Sequence, residues 1–228
     1  MLDRRQLLLT FAALPALAVA GAKAASDDAY QFALKDDAGA PLPNYRLPSQ
    51  LTTQGLPGVL WAGSASPDVT LVEFFDYNCP FCRKGAKDID GLVKRDPDFR
   101  LGLVNNAILS PGSAQAAKVM LAVLKLKGPE LAYQLHVRLL TKRGPADGPS
   151  ALDLAAELGL DRALVEGTGD SQAVIDMLRE QTRLAASLGF AATPSFMIEG
   201  VGILGYPGAR SMGRIVASAR KCERVVCP

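Results

Sequence analysis

The clearest pattern in the chain is Val69-Thr70-Leu71-Val72-Glu73-Phe74-Phe75, a β-branched and aromatic run that predicts a buried strand. Asp76-Tyr77-Asn78 then reads as a loop, and Cys79-Pro80-Phe81-Cys82 opens a helix running to about Lys94, stopped by Asp96-Pro97-Asp98. Phe99 to Val104 alternates enough for a second strand. Residues 110–188 read as helical. Ser110-Pro111-Gly112-Ser113 is a turn and cap, and Ala114 to Leu126 is a helix ended by Gly128-Pro129. Pro129 suits the first position of the next helix, to about Leu140. Ser150 and Asp153 predict a capping-box-like start for a helix ended by Gly159. Asp161 caps a short helical turn. Ser171 caps a long helix with Val174, Met177, Leu178, Leu184 and Leu188 at helical spacing, ended by Gly189. Ser195 to Leu204 predicts a β-hairpin turning at Glu199-Gly200, and Ala209 to Arg220 a final helix.

The N-terminal stretch has a different character. Met1-Leu2-Asp3-Arg4-Arg5 is a short basic start, Leu7 to Ala20 is almost wholly apolar, and Ala22-Lys23-Ala24 fits a small-x-small cleavage site. Residues 1–24 therefore read as an export signal cut near Ala24, which points to the periplasm. The apolar run is too short to span a bilayer comfortably. Arg4-Arg5 followed by Gln6-Leu7-Leu8 resembles a twin-arginine signal, which implies export in the folded state; a Sec signal with two arginines accounts for it equally well. Residues 25–58 hold Pro41, Pro43, Pro48 and Pro57 and predict an extended arm, with one short strand around Tyr30–Leu34.

Charge adds an exclusion. The full chain carries 25 Lys+Arg and 23 Asp+Glu. Removing the signal takes Arg4, Arg5, Lys23 and Asp3, which leaves 22 of each sign. A neutral mature chain offers neither a nucleic-acid footprint nor a basic membrane patch.

Four cysteines carry the chemistry, Cys79, Cys82, Cys222 and Cys227. The chain is long enough to bury its own core, so two close-spaced pairs need a local explanation rather than a scaffold role. Disulfide exchange needs a thiolate, and a helix N-terminus favours an anion through its free N–H groups and partial positive charge. Cys79 is placed there, Pro80 fits the first turn, and Cys82 follows one helical turn later. This predicts Cys79 as the exposed nucleophile and Cys82 as the buried resolving thiol. An inert disulfide at a helix start is the alternative, and the placement of the pair after a buried strand argues against it. Cys222 and Cys227 close a short loop after the last helix and read as a structural staple. A second redox pair, or a metal site using both pairs, competes with that reading. His136, the only histidine, reads as a helix-surface or packing residue, and Trp61 cannot be placed.

The order strand, reactive helix, strand, helical block, hairpin, helix is that of thioredoxin with an insertion. Phe74-Phe75-Asp76-Tyr77-Asn78-Cys79-Pro80-Phe81-Cys82, the inserted helices and Ala192-Thr193-Pro194-Ser195-Phe196 before the hairpin resemble the DsbA-like family of thiol–disulfide oxidoreductases over residues 59–220. The resemblance implies an α/β, thioredoxin-like fold with an inserted helical domain: residues 59–109 and 189–228 form the thioredoxin-like part and 110–188 the insertion. It implies that Thr193-Pro194 is a cis-proline loop, with Thr193 offering main-chain bonds to substrate and a hydroxyl near Cys79. It also implies that Glu73 is a buried proton acceptor near Cys82; a solvent-facing strand residue is the alternative. Strongly oxidising relatives carry His where this chain has Phe81, so a Cys79 pKa lowered less than theirs is expected. Substrates would be unfolded or mispaired exported proteins bound over an apolar surface around Cys79, Phe81 and Pro194, with a membrane oxidase or reductase as redox partner. No cofactor is implied, since the electrons reside on sulfur. A periplasmic copper-handling protein using the same dithiol is the competing class.

Overall fold

A computed structural model describes residues 30–228. The expected signal segment, residues 1–24, and the first residues of the arm lie outside the described residues. Within them a mixed sheet takes the order β1-β6-β5-β3-β4-β2, with β1 at Asn44–Arg46, β2 at Leu60–Gly63, β3 at Val69–Phe75, β4 at Phe99–Asn105, β5 at Ser195–Ile198 and β6 at Val201–Leu204. Strand β3 pairs parallel to β4 and antiparallel to β5. It is central and covered on both faces, which explains its nearly unbroken apolar sequence. Side chains alternate across it. Leu71 and Phe75 enter the larger core, while Val72 and Phe74 enter a second core beneath Leu188 and Phe190. Glu73 shares the face of Leu71 and Phe75.

The reactive helix α1 spans Pro80–Arg95, close to the sequence expectation. Its buried residues Cys82, Gly85, Ala86 and Ile89 form one stripe at helical spacing. Gly85 is needed there: a Cβ at this position would lie 2.8 Å from the ring of Tyr206, whose hydroxyl bonds Asp88. The insertion comprises α2 (Pro111–Lys127), α3 (Pro129–Thr141), α4 (Gly148–Glu157), α5 (Arg162–Gly169) and α6 (Gln172–Ser187). Helix α2 lies at its centre, with eight buried residues from Ser113 to Val123. The hairpin turns at Glu199-Gly200 as expected, and α7 spans Ala209–Cys222.

Several local expectations need correction. The arm has no strand at Tyr30–Leu34; Tyr30 makes one isolated bridge, and the strand falls at Asn44–Arg46 on the sheet edge. The Asn44 side chain accounts for the difference, bonding the Phe32 N–H and C=O in place of a ladder. Strand β2 was not foreseen. It pairs with β4, and Trp61 within it lies over Gly102 and under the Arg100 guanidinium, 4.3 Å from the ring centre. Helix α4 starts earlier than Ser150: Asp147 is its cap and Ser150 completes the box, while Asp153 pairs with Arg162 on the surface. Ser171 stands at the start of α6, but its hydroxyl donates back to the Thr168 carbonyl instead of capping. In α6 Met177, Leu178 and Leu184 are only partly buried, and Val174 and Ala185 are the apolar residues fully covered. Gln181 is buried as well, because it bonds Asn105 and the Pro57 carbonyl.

Candidate active site

Strand β3 delivers the chain to the head of α1 through Asp76-Tyr77-Asn78. Cys79 is the helix N-cap, in extended conformation, and Pro80 stands in the first turn. Cys79 and Cys82 are both free thiols. The loop before β5 crosses this helix end: the Cys79 thiol donates to the Thr193 carbonyl at 2.9 Å, and the Thr193–Pro194 peptide is cis. That crossing corrects the expectation of an exposed nucleophile. Cys79 is only 3% exposed, little more than Cys82 at 1%. Phe81, by contrast, is 59% exposed and projects beside the pair.

The two sulfurs are tuned in opposite directions. The Cys79 thiol is pulled down from an ordinary 9 to about 6. The hydrogen bond from the Cys82 thiol contributes most; burial opposes it, and the Thr193 side chain and the backbone N–H groups of Cys82 and Phe81 reinforce it. The Cys82 thiol is the chief donor and the N–H groups of the helix N-terminus add to it, with no charged neighbour required. The Cys82 thiol is pushed strongly up, first by burial, then by its hydrogen bond to Cys79 and the charges of Glu73 and Cys79. At neutral pH one thiolate therefore forms, on Cys79.

Glu73 is buried, which removes the solvent-facing alternative. Its carboxyl is pushed up to about 8, by burial first and then by the Cys79 charge. Because Cys79 ionises near 6, its thiolate forms first and holds Glu73 protonated. Glu73 Oε1 and Thr193 Oγ1 are buried without a hydrogen-bond partner among the described residues while Cys79 is a thiol; the Cys79 thiolate gives the Thr193 hydroxyl its acceptor.

The surrounding polar residues escaped the sequence reading. Asp76 is fully buried and accepts from the Asn78 N–H, the Leu109 N–H and Ser113 Oγ. Asn78 exchanges two hydrogen bonds with the Ala146 backbone. Arg83 donates to the carbonyls of Tyr77 and Lys142. The only available signal was the placing of two polar side chains directly before the cysteine motif. His136 is a packing residue: Tyr77 Oη lies 3.2 Å from its Nδ1, Phe75 meets it edge-on, and burial lowers its pKa to about 3. The second cysteine pair is bonded as Cys222–Cys227. Among the described residues no group of three or more His, Cys, Asp or Glu side chains is placed to hold a metal ion, and no helix is long and apolar enough to cross a membrane.

A cis-proline loop facing a Cys-Pro-Phe-Cys helix, on a thioredoxin sheet with a helical insertion, defines a class of dithiol protein. The chain belongs to the family described as the DSBA-like thioredoxin domain, which it matches over residues 70–217. A thioredoxin-like oxidoreductase from Silicibacter pomeroyi DSS-3 has 35% sequence identity and a TM-score of 0.67, covering 73% of this chain and 94% of that one. The thiol:disulfide interchange protein DsbA of Bordetella pertussis is 26% identical over 134 residues, 58% of this chain and 64% of that protein. An Na(+)/H(+) antiporter NhaA from Herminiimonas arsenicoxydans is 27% identical over 164 residues, 71% of this chain and 26% of the antiporter. The chain thus spans less than two thirds of either of these curated relatives.

Proposed function

We propose that this chain is a periplasmic thiol–disulfide oxidoreductase that exchanges disulfides with exported proteins through Cys79 and Cys82. The observation that carries this reading is the opposed tuning of the two sulfurs beneath the Thr193-Pro194 loop: Cys79 near 6 at the helix N-terminus, Cys82 raised behind it. In the oxidising direction a substrate thiolate attacks Cys79 Sγ of the Cys79–Cys82 disulfide. The Cys79–Cys82 bond breaks as the mixed disulfide forms, and Cys82 leaves as a thiolate. Protonated Glu73 supplies the proton that Cys82 needs in its dry setting. A second substrate thiolate then displaces Cys79, which leaves as a stabilised thiolate while the substrate keeps the new disulfide. Run backwards, with Glu73 as proton acceptor, the same steps reduce or reshuffle a substrate. The low Cys79 pKa stabilises the dithiol state, so the disulfide state is a moderate oxidant rather than an inert crosslink.

The basic, apolar and small-residue segments at the start of the chain support export. Phe81, exposed beside the pair, supplies apolar contact for an unfolded substrate. A redox partner must reset the pair after each turnover. Trapping tests the reading directly. A Cys82→Ala variant keeps the nucleophile but cannot resolve, so exported proteins should accumulate on Cys79 as mixed disulfides released by reductant. No trapped protein, together with no exchange by the unaltered chain, would refute the proposal.

A further inference from the structure

We propose that Asp76 is a positioning residue for the redox pair, its carboxylate fastening the active loop to the inserted helical block so that both cysteines keep their places. The inference rests on the oxidoreductase reading and extends it to a residue that touches no substrate. The side chain faces away from the sulfurs in its bonding: Oδ1 accepts from the Asn78 N–H at 2.7 Å and from Ser113 Oγ at 2.7 Å, and Oδ2 accepts from the Leu109 N–H at 3.0 Å. Of these three donors Ser113 lies in the first turn of α2, and Leu109 in the segment that leads into it. The backbone of the same residue faces the cysteines. Its carbonyl accepts the Cys79 N–H at 3.1 Å, and its N–H is a weak stabilising influence on a Cys82 thiolate that burial disfavours.

Asp76 is thus held by its side chain on one side and holds the Cys79 N–H, at the head of the helix that carries Cys82, with its main chain on the other. A carboxylate is a costly choice beside a cysteine that must ionise, because like charges repel and buried charge is poorly solvated. Three donated hydrogen bonds and the attraction of Arg83 offset that cost. Asn78 extends the joint, its amide both donating to and accepting from the Ala146 backbone at 2.8 Å. Loosening this joint should let Cys79 drift from the helix N–H groups that favour its anion.

The test compares the full mature chain with its Asp76→Ala and Asp76→Asn variants in the glutathione exchange equilibrium and in the pH midpoint of Cys79 alkylation, with guanidinium unfolding measured alongside. Asp76→Ala should shift the equilibrium at least tenfold toward the disulfide, about 30 mV for a two-electron couple. Its alkylation midpoint should rise by about one pH unit. Asp76→Asn keeps an acceptor for the Oδ1 donors and should recover much of the shift. A folded Asp76→Ala variant whose equilibrium and midpoint match the parent within twofold, whatever its stability, would overturn the proposal. If Asp76→Ala does not fold, Ser113→Ala removes one donor and carries the same test, with about a threefold change expected and no change counting against. Failure of the unaltered chain to exchange would strike the oxidoreductase reading instead; the alkylation midpoint needs no exchange and still decides the role of Asp76.

Discussion

Replacing Glu73 by Gln separates two opposed pH dependences built into the site. The Glu73 carboxyl rises from an ordinary 4.5 to about 8 on folding. The folded, reduced chain therefore binds this proton more tightly than the unfolded chain, and the group lowers stability as pH climbs from 4.5 to 8. The full effect is at most about 5 kcal/mol. Cys79 acts in the opposite sense. Its thiol falls from 9 to about 6, so its contribution is fully present above 9 and is lost as pH falls from 9 through 6, in total about 4 kcal/mol. In the parent chain the two slopes nearly cancel between pH 6 and 8. In Glu73→Gln only the Cys79 slope survives, and reduced protein should gain stability steadily from pH 6 to 9. The buried Gln amide carries its own desolvation cost of about 1–3 kcal/mol, but that cost does not vary with pH. Guanidinium unfolding of both reduced proteins at pH 5, 7 and 9 reads the difference. The gap should widen by several kcal/mol in favour of the variant as pH rises. Parallel curves, within about 1 kcal/mol, would refute the claim that Glu73 is held protonated by burial and by the Cys79 thiolate.

Other consequences are simpler to check. Alkylation of Cys79 followed by mass spectrometry should show a midpoint near pH 6, and Thr193→Val should raise that midpoint by removing a hydroxyl that stabilises the thiolate. Breaking the C-terminal staple by replacing Cys222 and Cys227 with Ala should cost about 2 kcal/mol in chemical denaturation by the chain-entropy estimate, with exchange at Cys79–Cys82 unchanged. Gln181→Ala should cost about 3 kcal/mol in the same assay, because the Asn105 N–H and the Pro57 carbonyl lose their partner in the core. Asp147→Ala removes the cap and box of α4 and should cost about 1 kcal/mol.

The strand–helix–strand unit around the cysteines was legible because each part follows from a local rule. Val69–Phe75 is too β-branched and apolar to be anything but a central strand, and Pro80 permits a helix only at its start. Caps were less legible. Both Asp147 and Ser150 are good N-cap residues, and the pattern alone does not say which one precedes the first turn. Edge strands were missed for a different reason. Asn44–Arg46 and Leu60–Gly63 are short and lie between prolines and glycines, so their pairing depends on partners far along the chain, Val201–Ile203 and Arg100–Leu103. The site shows the same division. Cys79 and Cys82 announce themselves by spacing, and the resemblance to DsbA-like proteins points to Glu73 and Thr193-Pro194. The bonds of Asp76 and Asn78 reach over thirty residues or more to Leu109, Ser113 and Ala146, a distance at which sequence pattern is silent. Nor could spacing reveal that the Thr193 carbonyl would cover Cys79.

The reduction potential of the Cys79–Cys82 pair, from glutathione titration of the mature protein with alkylation mass spectrometry, tests the central claim most directly. A thiolate stabilised to about pH 6 by a helix terminus and neutral donors places the pair between the strongly oxidising and the reducing ends of the thioredoxin scale, at roughly −200 mV. A pair that fails to exchange with glutathione, or whose potential lies at about −300 mV or below like a structural crosslink, would contradict the account.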